Sequence, residues 1–220
     1  MSRNCLGPNF SLAIFSKAPQ HGRVKTRMQP ALTPARCVTL HRQLLMQTLW
    51  QCRRTTGASV SLWTPPRSPS RLLRRAARRL AIRQCDQSGS DLGQRMRTAI
   101  SSELRRSRQP VLLIGADCPF FTPDHFRRAH DALRRAPFVF APASDGGFVL
   151  VGARKPLPSR CFEGIEWGGA DVLERTLCNM KRAGAAYQLL PALDDIDRPE
   201  DLHLLDTVAL HRVRWLFGVE

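Results

Sequence analysis

Short unbroken apolar runs alternate along this chain with longer stretches whose apolar positions recur at helical spacing. That alternation predicts an α/β protein, a mostly parallel sheet sandwiched between helices. Phe10 to Ser16 is the first apolar run, and residues 1–9 before it read as a flexible polar tail. Thr33-Pro34 starts a helix, an N-cap followed by proline at the first helical position. Cys37, Leu40, His41, Leu44, Leu45, Thr48 and Leu49 then share one face, where His41 reads as a histidine at the edge of the core. Ala58 to Trp63 is a second strand, and Arg67 to Arg83 an amphipathic helix running into a short strand.

Asp91 can cap the next helix, which turns Leu92, Met96, Ala99, Ile100 and Leu104 to the core. Val111 to Ile114 reads as a strand buried on both faces, the centre of the sheet. Thr122-Pro123 opens a helix in the same manner as Thr33-Pro34. The apolar runs Phe138 to Pro142 and Phe148 to Gly152 lie too close for a helical crossover, so they are antiparallel or belong to different layers. A helix from Asp171 ends at Gly184, Tyr187 to Leu190 is the last strand, and Leu202 to Phe217 is a closing helix. The whole predicts one three-layer domain over residues 10–220 with a late antiparallel strand.

Charge changes this picture. With 34 Lys plus Arg against 18 Asp plus Glu, the formal charge is +16. Such a field draws in anions, whether nucleotides, phosphorylated or carboxylated metabolites, nucleic acid or acidic lipid. Nucleic acid is disfavoured, because the Arg67 to Arg83 segment has no aromatics for base stacking and a charge run is usually a solvated face. The seven cysteines form no C-x-x-C pair and read as reduced thiols, which places the chain in the cytoplasm. No histidine spacing marks a zinc site. The run from Phe10 to Phe15 is too short for a signal peptide, and no stretch approaches a membrane span.

Three places hold candidate chemistry. Asp117 follows the central strand between Gly115 and Pro119, at the carboxyl end where open α/β sheets bind ligands. It is either a metal ligand or a loop cap. The loop Lys17-Ala18-Pro19-Gln20-His21-Gly22-Arg23-Val24-Lys25-Thr26-Arg27 has four cations and a glycine directly after a strand, which suits a polyphosphate as well as it suits a solvated basic turn. Asp145-Gly146-Gly147 is a good turn and also bare backbone N–H beside a carboxylate, fit for a hydroxyl or phosphate. Glu163, Glu166 and Trp167 punctuate the loop from Arg154 to Gly169. Asp194, Asp195 and Asp197 form an acidic cluster in which Asp197 fits a helix N-terminus, while a cap leaves the other two unexplained.

The ordered motifs F-S-K-A-P-x-x-G-x-V-K-T-R, S-D-L-G-x-R-M, L-L-I-G-A-D-C-P, D-G-G-F-x-L-V-G, F-E-G-I-x-W and D-I-D-x-P-E-D-L resemble the bacterial DUF2064 or "transferase 1" proteins. These are glycosyltransferase family A proteins of the nucleotide-diphospho-sugar transferase superfamily, with the GT-A fold. The resemblance spans Ser11 to about Leu205 and implies a nucleotide or nucleotide-sugar donor.

It further implies that Lys17, Ala18, Pro19, Gly22, Arg23, Lys25, Arg27 and Asp91 bind the nucleotide, with Lys25 and Asp117 catalytic. Asp145, Gly146, Gly147, Glu163 and Trp167 would line the acceptor side. Asp117 takes the position of the last carboxylate of a D-x-D metal motif and Asp197 that of a second acidic ligand, for Mg²⁺ or Mn²⁺ arriving with the nucleotide. Two departures stand out. Gly115 replaces the first Asp of D-x-D, and Gly168-Gly169-Ala170 replaces the Ser-Thr often found after the Trp. The implied activity is metal-assisted glycosyl transfer. Nucleotidyl transfer releasing pyrophosphate is the alternative, and a non-catalytic anion or RNA binder on a transferase fold is a third.

Overall fold

The computed structural model describes residues 9–55, 57–66 and 70–207. Most of the polar tail, residues 67–69 of the arginine-rich segment and the closing stretch from residue 208 lie outside the described residues. Among the described residues seven strands form one sheet: β1 (Ser11–Phe15), β2 (Ser59–Thr64), β3 (Arg83–Asp86), β4 (Val111–Gly115), β5 (Phe138–Pro142), β6 (Phe148–Ala153) and β7 (Tyr187–Leu189). Their spatial order is β3-β2-β1-β4-β6-β5-β7. The α-helices among the described residues connect them: α1 (Pro34–Thr55), α2 (Arg71–Arg79), α3 (Leu92–Ser107), α4 (Pro123–Arg135) and α5 (Val172–Arg182).

The predicted strand β4 is indeed central, with all of Val111 to Ile114 buried. It pairs in parallel with β1 and antiparallel with β6, and β6 pairs antiparallel with β5. The short link between β5 and β6 therefore makes a hairpin within the same sheet. Only β6 runs against the others, since β7 returns parallel to β5.

Alternation along each strand divides the core in two. Leu12 and Ile14 of β1, with Leu112 and Ile114 of β4, pack beneath α1, α2 and α4. Ala13, Phe15, Val111 and Leu113 point the other way, onto Met96, Ala99 and Ile100 of α3 and Met180 of α5. Each buried Leu or Ile of this kind contributes roughly 1.5–3 kcal/mol by leaving water, so both faces of β4 commit it to the middle of the sheet.

Local signals act as read at several helix starts. Thr33 Oγ1 accepts from Arg36 N at 3.3 Å, and Asp91 Oδ1 accepts from Gln94 N at 2.9 Å. The arginine-rich helix begins later than its sequence suggests, at Arg71, with Ser70 accepting from Leu73 N. The predicted closing helix differs more. Residues Pro199–Thr207 form a 3-10 helix, and the remainder of that prediction lies outside the described residues.

Candidate active site

Parallel register between β1 and β4 brings their carboxyl ends to one level, Phe15 opposite Gly115, and Ala116 N donates to Phe15 O at 3.1 Å. The loop after β1 and the turn after β4 thus leave the sheet side by side. Three further backbone bonds carry the segment after β7 along this edge: Leu190 N to Phe140 O at 2.8 Å, Leu193 N to Pro142 O at 3.0 Å and Ile196 N to Asp117 O at 3.1 Å. Residues eighty positions apart meet as a result.

At the meeting point stands Lys25. Its side chain is 1 % exposed, and its Nζ lies 3.0 Å from Asp117 Oδ1 and 3.4 Å from Asp197 Oδ1. It also donates to the backbone oxygen of Ile196 at 2.5 Å. Burial alone would lower the Lys25 pKa, but the carboxylates of Asp117 and Asp197 outweigh it and hold the ammonium above its usual range. Burial likewise pushes the Asp117 carboxyl upward, and Lys25 with His41 overcomes this and draws it well below the usual carboxylate range. The backbone of Lys25 is left-handed, φ 50°, a conformation disfavoured for a side chain of this kind. Such strain persists where surrounding contacts over-determine it.

Arg27 clamps the same carboxylate from outside. Its Nη1 donates to Asp197 Oδ2 at 2.9 Å and its Nη2 to Gly168 O at 3.2 Å. One arginine so ties the cationic loop to the 194–201 segment and to the loop that carries Trp167. Lys17 and Arg23 are exposed on that cationic loop, whereas Ala18 is buried and Pro19 half-buried.

His41 departs from its expected role. It is buried, but its Nδ1 lies 3.7 Å from Asp117 Oδ1 and its Nε2 3.0 Å from Lys17 O. It therefore braces both the carboxylate and the first residue of the cationic loop. Sequence showed only a histidine on an apolar stripe, and its neighbours became visible only when α1 packed beneath β1.

The acidic cluster resolves into separate duties. Asp194 accepts from Ser144 Oγ, Asp197 receives Lys25 and Arg27, and Asp195 faces a cavity. Asp201, not Asp197, serves the helix start with its side chain, Oδ2 accepting from Asp197 N at 2.9 Å and Arg198 N at 2.7 Å. This corrects the reading of Asp197 as a cap. Among the described residues Asp195 forms no ion pair, and the charge of Lys25 offsets its carboxylate neighbours only in part. Burial, followed by the charges of Asp145 and Asp197, pushes it up to about 6.

The cavity beside this cluster, about 240 Å³, is lined by Gly115, Asp145, Gly147, Phe148, Trp167 and Asp195 among others. The predicted acceptor-side residues Asp145, Gly147 and Trp167 thus share one wall. Gly146 makes that wall possible, because it sits at φ +87° and a Cβ there would lie 1.8 Å from Ala170 O. Asp145 Oδ1 accepts from Gly147 N at 2.9 Å, so the turn is self-bracing. Glu163 lies apart, in a second recess, paired with Arg160 at 3.4 Å. Asp91 lines that recess too.

A divalent ion at Asp117 and Asp197 meets a definite test here. The Lys25 ammonium stands between them, both Asp197 oxygens are paired, and among the described residues no three His, Cys, Asp or Glu side chains gather into a ligand set. Such a donor set does not make a protein-only cage. Asp117, whose side chain is 39 % exposed, keeps a carboxylate surface toward solvent although Oδ1 is buried. It fits an ion whose other ligands come from elsewhere.

A sheet of this order, with its charged cluster at the carboxyl ends of the two central parallel strands, is the fold of the nucleotide-diphospho-sugar transferases. Over 96 % of its length the chain matches 94 % of a candidate nucleotide-diphospho-sugar transferase from Desulfovibrio desulfuricans, with a TM-score of 0.81 and 27% sequence identity. A cytidylyltransferase from Leptospira borgpetersenii shares the fold at a TM-score of 0.58 and 12% identity, covering 90% of this chain and 85% of that one. A 4-diphosphocytidyl-2C-methyl-D-erythritol synthase does so at 0.56 and 13%, with 91% and 98% covered. The family described as "Uncharacterized protein conserved in bacteria (DUF2064)" matches residues 48–169, and the chain belongs to it. Curated proteins give no match to the sequence.

Proposed function

We propose that this protein is a transferase that uses a nucleotide or nucleotide-sugar donor, bound across the carboxyl ends of β1 and β4. The observation that carries this reading is the convergence of Lys25, Arg27, Asp117 and Asp197 at that edge, beside a cavity of about 240 Å³. Open α/β sheets bind ligands in this place. The 27% identical neighbour, itself a candidate nucleotide-diphospho-sugar transferase, supports the same reading.

The residues divide by exposure. Lys17, Arg23 and Arg27 reach solvent and can neutralise donor phosphates, while buried Lys25 fixes the two carboxylates in place. When phosphate leaves with the nucleotide, these fixed cations stabilise the growing negative charge without reorganising. An Mg²⁺ or Mn²⁺ ion brought by the nucleotide would bind Asp117, with Asp197 joining only if Arg27 turns to the donor phosphates, and share that stabilisation. Asp145, held in place by the N–H of Gly147, and Trp167 would orient the acceptor. In glycosyl transfer the acceptor oxygen bonds to the sugar carbon as the bond to the nucleoside diphosphate breaks. In nucleotidyl transfer it bonds to the α-phosphorus and pyrophosphate departs.

A thermal-shift screen of nucleotides and nucleotide sugars, with and without Mg²⁺ or Mn²⁺, tests the donor. We expect stabilisation by at least one of them, strengthened by the ion. Analysis of the released product then separates the two transfers, nucleoside diphosphate for one and pyrophosphate for the other. No stabilisation by any nucleotide under either condition would overturn the reading.

A further inference from the structure

Trp167 lines two recesses. One is the cavity with Asp145 and Asp195, and the other, of about 440 Å³, lies between the start of α3 and residues 159–165. Gly93 lets these walls close on each other, since a Cβ there would meet Phe162 Cβ at 2.5 Å and Trp167 Cζ2 at 3.0 Å. Arg97 of α3 lines the larger recess together with Gln94, Ser159 and Arg160. On its other side Arg97 lines a third recess with Thr98, Ser101 and Arg105.

Arg97 is a cation without an assigned anion. Its Nε is buried and has no hydrogen-bond partner, and no carboxylate among the described residues pairs with it. An arginine cannot shed its proton to escape that position. A buried donor left unsatisfied costs about 1–3 kcal/mol. Neighbouring groups are engaged elsewhere or neutral. Asp91 is occupied in capping α3 and in accepting from Ser90 Oγ at 3.0 Å. Glu163 pairs with Arg160, and burial pushes the nearby Cys161 thiol up to about 12, so it carries no charge.

We propose that this recess receives the second substrate, and that the substrate carries an anionic group, phosphate or carboxylate, which Arg97 binds. The inference rests on the proposed transferase reading, in which the reacting end of the acceptor lies on the near side of Trp167. A planar guanidinium already desolvated on one edge loses little further hydration on binding an oxyanion and can present paired N–H donors. Arg105 lines the adjoining recess on the other side of Arg97 and adds attraction for an anion. The acceptor's body would stack along Trp167 and extend past Ser159.

The test titrates the full chain with methyl phosphate in one arm and acetate in the other, without nucleotide, by tryptophan fluorescence and by calorimetry. We expect saturable binding of one anion, a fluorescence change that Trp167→Phe removes, and at least tenfold weaker binding in Arg97→Gln. The arm that saturates names the group. Arg97→Lys keeps the charge but loses the fork, so an intermediate affinity is expected even where Arg97→Gln fails to fold. Nucleotide stabilisation, measured separately, should be unchanged in both variants. Absence of saturable binding in both arms, or affinity indifferent to Arg97 in both variants, would overturn the inference. Displacement of the anion by nucleotide would also do so, because the anion would then occupy the donor's phosphate site. Nucleotide binding without anion binding sinks this inference alone, and the reverse sinks the transferase reading.

Discussion

Two buried charge clusters flank the same sheet, and they are built on opposite terms. Beneath β2 and β3, the fully buried carboxylate of Glu103 has every oxygen engaged. Ser61 Oγ donates to Oε1 at 2.6 Å, Trp63 Nε1 to Oε1 at 3.2 Å and Arg106 to Oε2 at 2.8 and 3.0 Å, with Arg83 closing on Oε1. At the carboxyl ends of β1 and β4, Lys25 and Arg27 satisfy Asp197 and half of Asp117, while Asp195 beside them has carboxylates for neighbours and an open cavity in front. Glu103 joins strand to helix and leaves no polar group for a ligand. The other cluster keeps an exposed carboxylate, a strained backbone at Lys25 and uncompensated negative charge. A closed network stabilises, and an open one waits for a partner.

Truncation should separate the two most sharply. Glu103→Ala leaves the Ser61 hydroxyl buried without its acceptor, strips the Trp63 N–H of one of its two acceptors and leaves two arginines without their carboxylate. We expect a loss of about 3 kcal/mol in denaturant melts, with nucleotide affinity unchanged in the folded fraction. Equal loss of stability and of nucleotide binding would erase the distinction. Asp117→Asn should behave in the converse manner. Calorimetry should show nucleotide affinity in the presence of Mg²⁺ reduced at least tenfold, about 1.4 kcal/mol, and the metal-dependent part of binding lost. Stability should fall by only about 1–2 kcal/mol, since this side chain is partly solvated and Lys25 retains Asp197.

Acid should act on both clusters, since Glu103 as well as Asp117 is held below its usual value. Burial tends to raise the Glu103 pKa, but its bonds from Ser61 and Arg106 and the charge of Arg83 hold it below the usual 4.5. A depressed folded value means the contribution is complete above about 4.5, the value in the unfolded chain, and is lost as pH falls through the lower folded value. Thermal melts should therefore be flat for this term from pH 6 to 8 and decline below about 4.5, and Glu103→Gln should show a shallower decline than wild type. An identical decline in both proteins would assign acid sensitivity elsewhere.

The smallest effect is expected on the arginine-rich face of α2. Leu73, Ala76 and Ala77 are buried there, so its apolar side is used for packing. Changing Arg74, Arg75, Arg78 and Arg79 together to Glu should leave nucleotide stabilisation within error. Salt-steep RNA binding near physiological ionic strength, lost in that variant, would show that this face is a binding surface instead.

Much of this was legible in sequence because local rules are short-ranged. Thr33-Pro34 and Asp91 start their helices through bonds three residues long, and Val111 to Ile114 can be nothing but a strand buried on both faces once its flanks are polar. The brief link before Phe148 ruled out a parallel return to β5, and β6 is antiparallel. The described part of the closing segment differs because apolar spacing fits an α-helix, whereas from Pro199 to Thr207 the chain winds as a 3-10 helix, with Asp201 accepting from the N–H groups of Asp197 and Arg198 just before it.

Sequence by itself determined the alternation of strands and helices, the central place of β4, the cationic loop and the two aspartates at positions 117 and 197. Each of these is set by composition within a few residues or by hydrophobic period. Tertiary structure alone decided which charges face which. His41 became a neighbour of Asp117 only through the packing of α1. Lys25 became the ion between two carboxylates only because the 190–196 segment bonds along the strand ends. Arg97 became an unpartnered cation only because the 159–167 loop closes over α3. Coulombic and hydrogen-bond energies depend on distances of a few ångströms between residues far apart in the chain, and no spacing along a sequence encodes those distances.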